Sequence, residues 1–126
     1  MKIAINISGH KLSDIATKHL KEYAKNIIDI PVPNADLDDL EPYVAELMEI
    51  LKKSKHASKA ILTNEYILVI PGHAAIAYHI AAALHGGSGS FPTFTFTVRT
   101  DDGIYDIATP IDLNTIRLKY RDFFRA

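Results

Sequence analysis

The chain contains no cysteine. That excludes a disulfide scaffold, an iron–sulfur cluster, a thiolate zinc site and a cysteine nucleophile. It also has no excess of either charge: 14 Lys and Arg stand against 15 Asp and Glu, a net charge of −1. A generic, strongly basic nucleic-acid coat is thereby excluded, and no long nucleic acid is expected as a partner. No apolar run approaches the roughly 18 residues of a membrane span, because His79 and His85 interrupt the longest stretch, so no membrane partner is expected either. The opening residues Met1-Lys2-Ile3-Ala4-Ile5-Asn6 turn polar too early for a signal peptide, which makes the cytoplasm the expected compartment. Neither G-x-G-x-x-G after the first strand nor G-x-x-x-x-G-K-[ST] occurs, which disfavours a nicotinamide enzyme and an ATPase. The six histidines form no H-E-x-x-H, and no carboxylate is spaced to complete a metal motif. No metal and no cofactor are expected.

What is present is the composition of a globular protein, 48% hydrophobic and 23% charged over 126 residues, which predicts one domain, 1–126. Lys2–Ile7 reads as a strand ending at Ser8-Gly9-His10. Leu12–Lys25 has helical spacing, with Ser13 or Ser8 as N-cap. Asn26–Ile30 is a second strand, closed by Pro31-Val32-Pro33. Asp36, Asp38, Asp39 and Glu41 follow in a loop, and Pro42 opens a helix with Val44, Leu47, Met48 and Leu51 on one face. The stretch Asp29–Glu49 holds no Lys or Arg and reads as a solvated face. Lys52–Lys59 reads as helix end and loop, and Tyr66–Ile70 as a buried strand. Ala74–Leu84 reads as an Ala-rich helix, stopped by His85-Gly86-Gly87-Ser88-Gly89-Ser90. In Phe91–Arg99, apolar Phe94, Phe96 and Val98 alternate with Thr93, Thr95, Thr97 and Arg99, which predicts a strand whose Thr face meets solvent or a partner. Asp101-Asp102-Gly103 turns the chain back through Ile104–Ile107. Asp112 caps a last helix, with Ile116, Tyr120, Phe123 and Phe124 as its expected buried side. Arg117, Lys119, Arg121 and Arg125 fall around that helix rather than along one stripe.

The order β-α-β-α-β-α-β-β-α predicts an α/β fold, a mainly parallel Rossmann-like sheet flanked by helices, with a C-terminal β-hairpin and helix. Ligands of such sheets bind beyond the carboxyl ends of the strands. Two loops lie there: Asn6–His10 and Pro71–Ala74. Helix N-termini offer free N–H groups and stabilise anions, phosphate above all. Gly9 and Gly72 let the backbone approach a ligand. Asn6, Ser8 and His10 carry groups that can hydrogen-bond a phosphate or sugar. The plainer alternative is that Ser8 caps a helix and Gly72 makes a turn. His10 and His73 lie at this edge and are the histidines placed for ligand contact or proton transfer.

These residues also carry a resemblance. Asn6-Ile7-Ser8-Gly9-His10, Ile30-Pro31-Val32, Ile70-Pro71-Gly72 before an Ala-rich helix, Leu84-His85-Gly86 and Phe91-Pro92-Thr93 come in an order and spacing similar to a small accessory family of type III CRISPR systems, the Csx-fifteen group. The match is spread over residues 1–99. The resemblance implies a CARF-like domain that binds cyclic oligoadenylate, the second messenger of type III defence. A ring of four adenylates has twofold symmetry, which a twofold homodimer would match, so a homodimer or higher homo-oligomer is expected.

Three classes of function follow. The first is a binding module that sequesters the messenger, cyclic tetra-adenylate foremost, and damps the signal. The ligand-binding set is then Asn6, Ser8, Gly9, His10, Pro71, Gly72, His73 and Ala74. The second is a ring nuclease, in which a ribose 2′-OH attacks the adjacent phosphorus without a metal, with His10, Ser8 and His73 as the catalytic candidates. The third is an adaptor whose loops only close the fold. The first is favoured, because no loop shows a paired acid and base.

Overall fold

The computed structural model describes residues 2–125 of the chain. The elements, in order, are β1 (Ile3–Asn6), α1 (Asp14–Leu20), β2 (Asn26–Asp29), α2 (Glu41–Lys53), α3 (Lys55–Leu62), β3 (Tyr66–Ile70), α4 (Ala74–Ser88), β4 (Thr93–Arg99), β5 (Tyr105–Ile107), β6 (Ile111–Asp112) and α5 (Leu113–Tyr120). The sheet runs β2-β1-β3-β4-β5, with β6 also paired to β4. The pairs β1–β2, β1–β3 and β3–β4 are parallel, whereas β5 and β6 run antiparallel to β4. This is the α/β architecture that the alternation of strands and helices predicts.

Strand alternation sorts the core into two layers. Ile3, Ile5, Ile7, Tyr66, Leu68 and Ile70 face α2, α3 and α4, where Leu47, Leu51, Ile80 and Leu84 meet them. Ala4, Ile67 and Val69 face α1, against Leu12, Ala16 and Leu20. Each fully buried Ile or Leu contributes about 1.5–3 kcal/mol of transfer free energy. β1 and β3 are buried on both sides, which explains their unbroken apolar sequence.

Several elements differ from the sequence reading. The first helix stops at Leu20, and Ser13 rather than Ser8 caps it by accepting from the Ala16 N–H at 3.1 Å. Lys55–Leu62 is a helix, not a loop. Ser54 ends α2 and caps α3, and α3 buries only Ala57 and Ala60, which carry too little apolar signal to read as a stripe. α4 passes through Gly86 and Gly87 to Ser88, and Gly89 in the left-handed region (φ 82°) ends it. Gly87 lies where α2 crosses: a Cβ there would sit 3.3 Å from Met48 Cε.

The Thr face of β4 is the second surprise. Thr93 and Thr95 are buried, and Thr95 Oγ1 donates to the Ala108 carbonyl at 2.6 Å, while Phe96 is exposed. The chain after β5 folds back along the edge of β4, where Ala108 meets Thr95 and β6 pairs with Thr93 and Phe94. Asp112 caps α5 as expected, accepting from the Asn114 N–H at 2.9 Å. The helix nonetheless buries none of its residues: Ile116 and Tyr120 are exposed, and so are Phe123 and Phe124 in the turn beyond it. Its anchors are Leu113, packed against the core, and the Asn114 side chain, which both donates to and accepts from the Phe91 backbone.

Candidate functional site

The connection from β1 leads through α1 to β2 on one side, and the return leads through α2 and α3 to β3 on the other. β1 and β3 are therefore neighbours whose following loops diverge, the switch point at which open α/β sheets leave a crevice. Register puts Asn6 opposite Val69 on β3 and opposite Asp29 on β2. The two loops singled out from the sequence, Asn6–His10 and Pro71–Ala74, are brought side by side at this rim.

The first loop is built around Asn6, which is 4% exposed. Its Oδ1 accepts from the Ser8 N–H at 3.1 Å and from Ser8 Oγ at 2.6 Å. Its Nδ2 donates to the His10 carbonyl and to Asp29 Oδ1, both at 2.9 Å. All four hydrogen-bonding positions of the amide are thus occupied. Ser8 Oγ in turn accepts from the His10 N–H at 3.2 Å. Asn6 and Ser8 hold the loop in shape, while Gly9 and His10 are exposed. Gly9 has φ 82°, a conformation open to glycine but strained for other residues, and its Cα lies near Val32 in the loop after β2.

The second loop is simpler. His73 is the N-cap of α4: its Nδ1 accepts from the Ala75 N–H at 3.2 Å. A ring nitrogen that accepts carries no proton, so the neutral ring bears its proton on Nε2, as an outward donor. Gly72, His73 and Ala74 are exposed. Among the described residues nothing lies within 4 Å of a Cβ placed on Gly72. The N–H groups of Gly9, Gly72, His73 and Ala74 make no hydrogen bond among the described residues, whereas those of Ser8, His10 and Ala75 are already bonded.

Two other constellations involve none of the residues of the two rim loops. His19 Nδ1 donates to both oxygens of Asp106, at 2.8 and 2.9 Å, joining α1 to β5. The Ile107 N–H bonds the same carboxylate, and these contacts, the backbone one foremost, hold Asp106 below the usual carboxylate range. The second is a concavity of about 820 Å³ along β2, lined by Lys11, Lys21, Lys25, His56 and Lys59 among others. The sequence reading missed it, because these residues come from α1, its flanks and α3, and only the edge position of β2 gathers them. Among the described residues no three His, Asp or Glu side chains group as a metal ion requires. No helix of the described residues is long and apolar enough to cross a membrane.

No protein family, no curated protein and no solved structure matches this chain.

Proposed function

We propose that the chain binds a cyclic oligoadenylate, cyclic tetra-adenylate foremost, at the β1/β3 rim and damps the signal by holding it. The observation that carries this reading is the set of unbonded N–H groups at Gly9, Gly72, His73 and Ala74 in the loops that follow the neighbouring strands β1 and β3. Phosphate oxygens are stabilised by such donors at the start of a helix without surrounding Lys or Arg. Gly72 leaves open space where a ring would lie. In this reading Asn6 and Ser8 shape the loop, and His10 and the His73 Nε2–H reach the ligand.

Holding is favoured over cleavage by what the histidines touch. The His73 ring is engaged as a helix cap, and the histidine that pairs with a carboxylate, His19, lies on α1 against β5. A second subunit is supported by the exposed apolar side of Ile116, Tyr120, Phe123 and Phe124, since contiguous exposed apolar surface favours association.

The test is calorimetric titration with cyclic tetra-adenylate, followed by chromatography of the mixture over hours. Tight binding with the ring intact supports sequestration. Linear products formed over many turnovers would place the protein with ring nucleases. Absence of binding to any cyclic oligoadenylate would leave the adaptor class.

A further inference from the structure

β2 is the outermost strand of the sheet, and among the described residues nothing pairs with its outer side. The Ile30 N–H bonds the Asn6 carbonyl on β1. Strand alternation then turns the main-chain N–H and C=O of Ile27 and Asp29 away from the sheet. Ile27 and Ile28 are each half-buried, one packed against the α1 layer and the other against the α2–α4 layer. The strand therefore has an unfinished edge on three counts: its hydrogen bonds, and the apolar cover of both faces.

The surroundings of this edge are positive. Lys11, Lys21 and Lys25 line the concavity from α1 and its flanks, and Lys59 and His56 line it from α3. Among the described residues none of these four lysines is in an ion pair. The facing acids are Asp29, already bonded to Asn6, and Glu65. A chain of net charge −1 thus gathers unpaired cations around one strand edge.

We propose that this groove receives an extended acidic peptide from another protein, which adds to the sheet as a strand beside β2. Main-chain groups of the peptide bond Ile27 and Asp29. Its alternate side chains fall on the two faces, where carboxylates meet Lys21 and Lys25 on one and Lys59 and His56 on the other. The edge selects polypeptide over nucleic acid, because only a polypeptide repeats N–H and C=O at the strand spacing. It also rejects a second β2, since two copies edge to edge would bring their lysines together. Lysines at a sheet edge deter pairing of like strands. Here the same charges admit an acidic strand.

The probe is a capped peptide of about six residues, Val-Glu-Glu-Val-Glu-Glu, which sets carboxylates on both faces and is long enough to cover a four-residue strand. It is titrated into the full chain labelled for amide NMR. The expected result is a saturable shift centred on residues 25–30. Affinity falls about tenfold with Lys21→Glu/Lys59→Glu, whose exposed positions leave the remaining spectrum unchanged. It falls similarly when the peptide amides that face β2 are N-methylated, a test that needs no variant of the protein. The proposal is overturned by any of three results: no shift at millimolar peptide, equal binding of the N-methylated peptide, or displacement by oligothymidylate of matched charge. Concentration-dependent pairing of the chain with itself through β2, seen at the same amides without peptide, would overturn it as well.

Discussion

Asn6 joins the carboxyl ends of two strands: its Nδ2 donates to Asp29 Oδ1 at 2.9 Å while the same nitrogen holds the His10 carbonyl. One buried amide thereby sets both the shape of the loop after β1 and its distance from β2. Replacing it leaves the Ser8 N–H without its acceptor and the His10 carbonyl with the Ser8 hydroxyl alone. Asn6→Ala is expected to lose about 1–3 kcal/mol of stability, the cost of unpaired buried polar groups, measured by urea denaturation. Affinity for cyclic tetra-adenylate falls with it, although Asn6 itself is fully bonded within the loop. Unchanged affinity in a folded Asn6→Ala protein would remove the first loop from the binding surface.

The two rim glycines are expected to behave differently. Gly9 adopts φ 82°, so Gly9→Ala costs about 1–2 kcal/mol in folding through backbone strain. Gly72 has no left-handed φ and open space at its Cβ position. Gly72→Val is therefore expected to fold with stability within about 1 kcal/mol of the parent, yet to lose at least roughly tenfold in ligand affinity by filling the phosphate approach. Thermal melts and calorimetry on the pair separate strain from obstruction.

The two rim histidines also divide. Among the described residues the exposed His10 ring makes no hydrogen bond, ion pair or ring contact, so His10→Ala is expected to change stability by less than about 0.5 kcal/mol while weakening binding. His73→Ala loses the cap of α4 and about 1 kcal/mol of stability. His73→Asn keeps a capping acceptor but not the Nε2–H, so it is expected to restore stability without restoring affinity. Recovery of both by Asn would confine His73 to capping.

Acid should loosen the contact between α1 and β5. The Asp106 carboxyl is held below its ordinary value of 3.8 by the Ile107 N–H and by His19. A group depressed in the folded state contributes stability above its unfolded value and loses it as pH falls through the folded one. Stability of the parent is thus expected to fall below about pH 3.8 more steeply than that of Asp106→Asn. Denaturation curves of the two proteins across that range provide the check.

At the other end of the scale stands Tyr66, whose hydroxyl is buried without a partner among the described residues and whose burial pushes it up to about 12. Its contribution is present below pH 10 and is lost as pH rises through the folded value. Tyr66→Phe is expected to be neutral or to stabilise by about 1 kcal/mol, because an orphaned hydroxyl is removed without loss of packing. The decline in stability between about pH 10 and 12 is expected to be shallower in Tyr66→Phe.

The sequence made the strand–helix order legible because the apolar runs Ile3–Ile5 and Tyr66–Ile70 are each followed by a glycine-containing loop. The same loops pointed to the rim, since their position follows from the order alone. What it concealed depended on register or on distant partners. Asn6 and Asp29 meet only once β1 and β2 are aligned. Thr95 is polar by type but buried, because the chain after β5 supplies the Ala108 carbonyl. The glycines 86 and 87 resemble a helix stop, yet close passage of Met48 makes one of them a packing position. The exposed Phe123 and Phe124 read as core, because apolar periodicity does not tell whether a helix has anything to pack on.

The hairpin strand β5, while paired with β4, also touches α1, where Ser13 Oγ donates to the Tyr105 carbonyl and His19 holds Asp106. These clasps span 92 and 87 residues of chain. During synthesis the β1-α1-β2 unit would emerge from the ribosome with one flank bare and wait for the residues 92 and 87 positions further on before that flank is closed. A chain truncated before residue 105 would keep the rim loops but lose this closure, so Tyr105 and Asp106 secure a helix made 92 and 87 residues earlier.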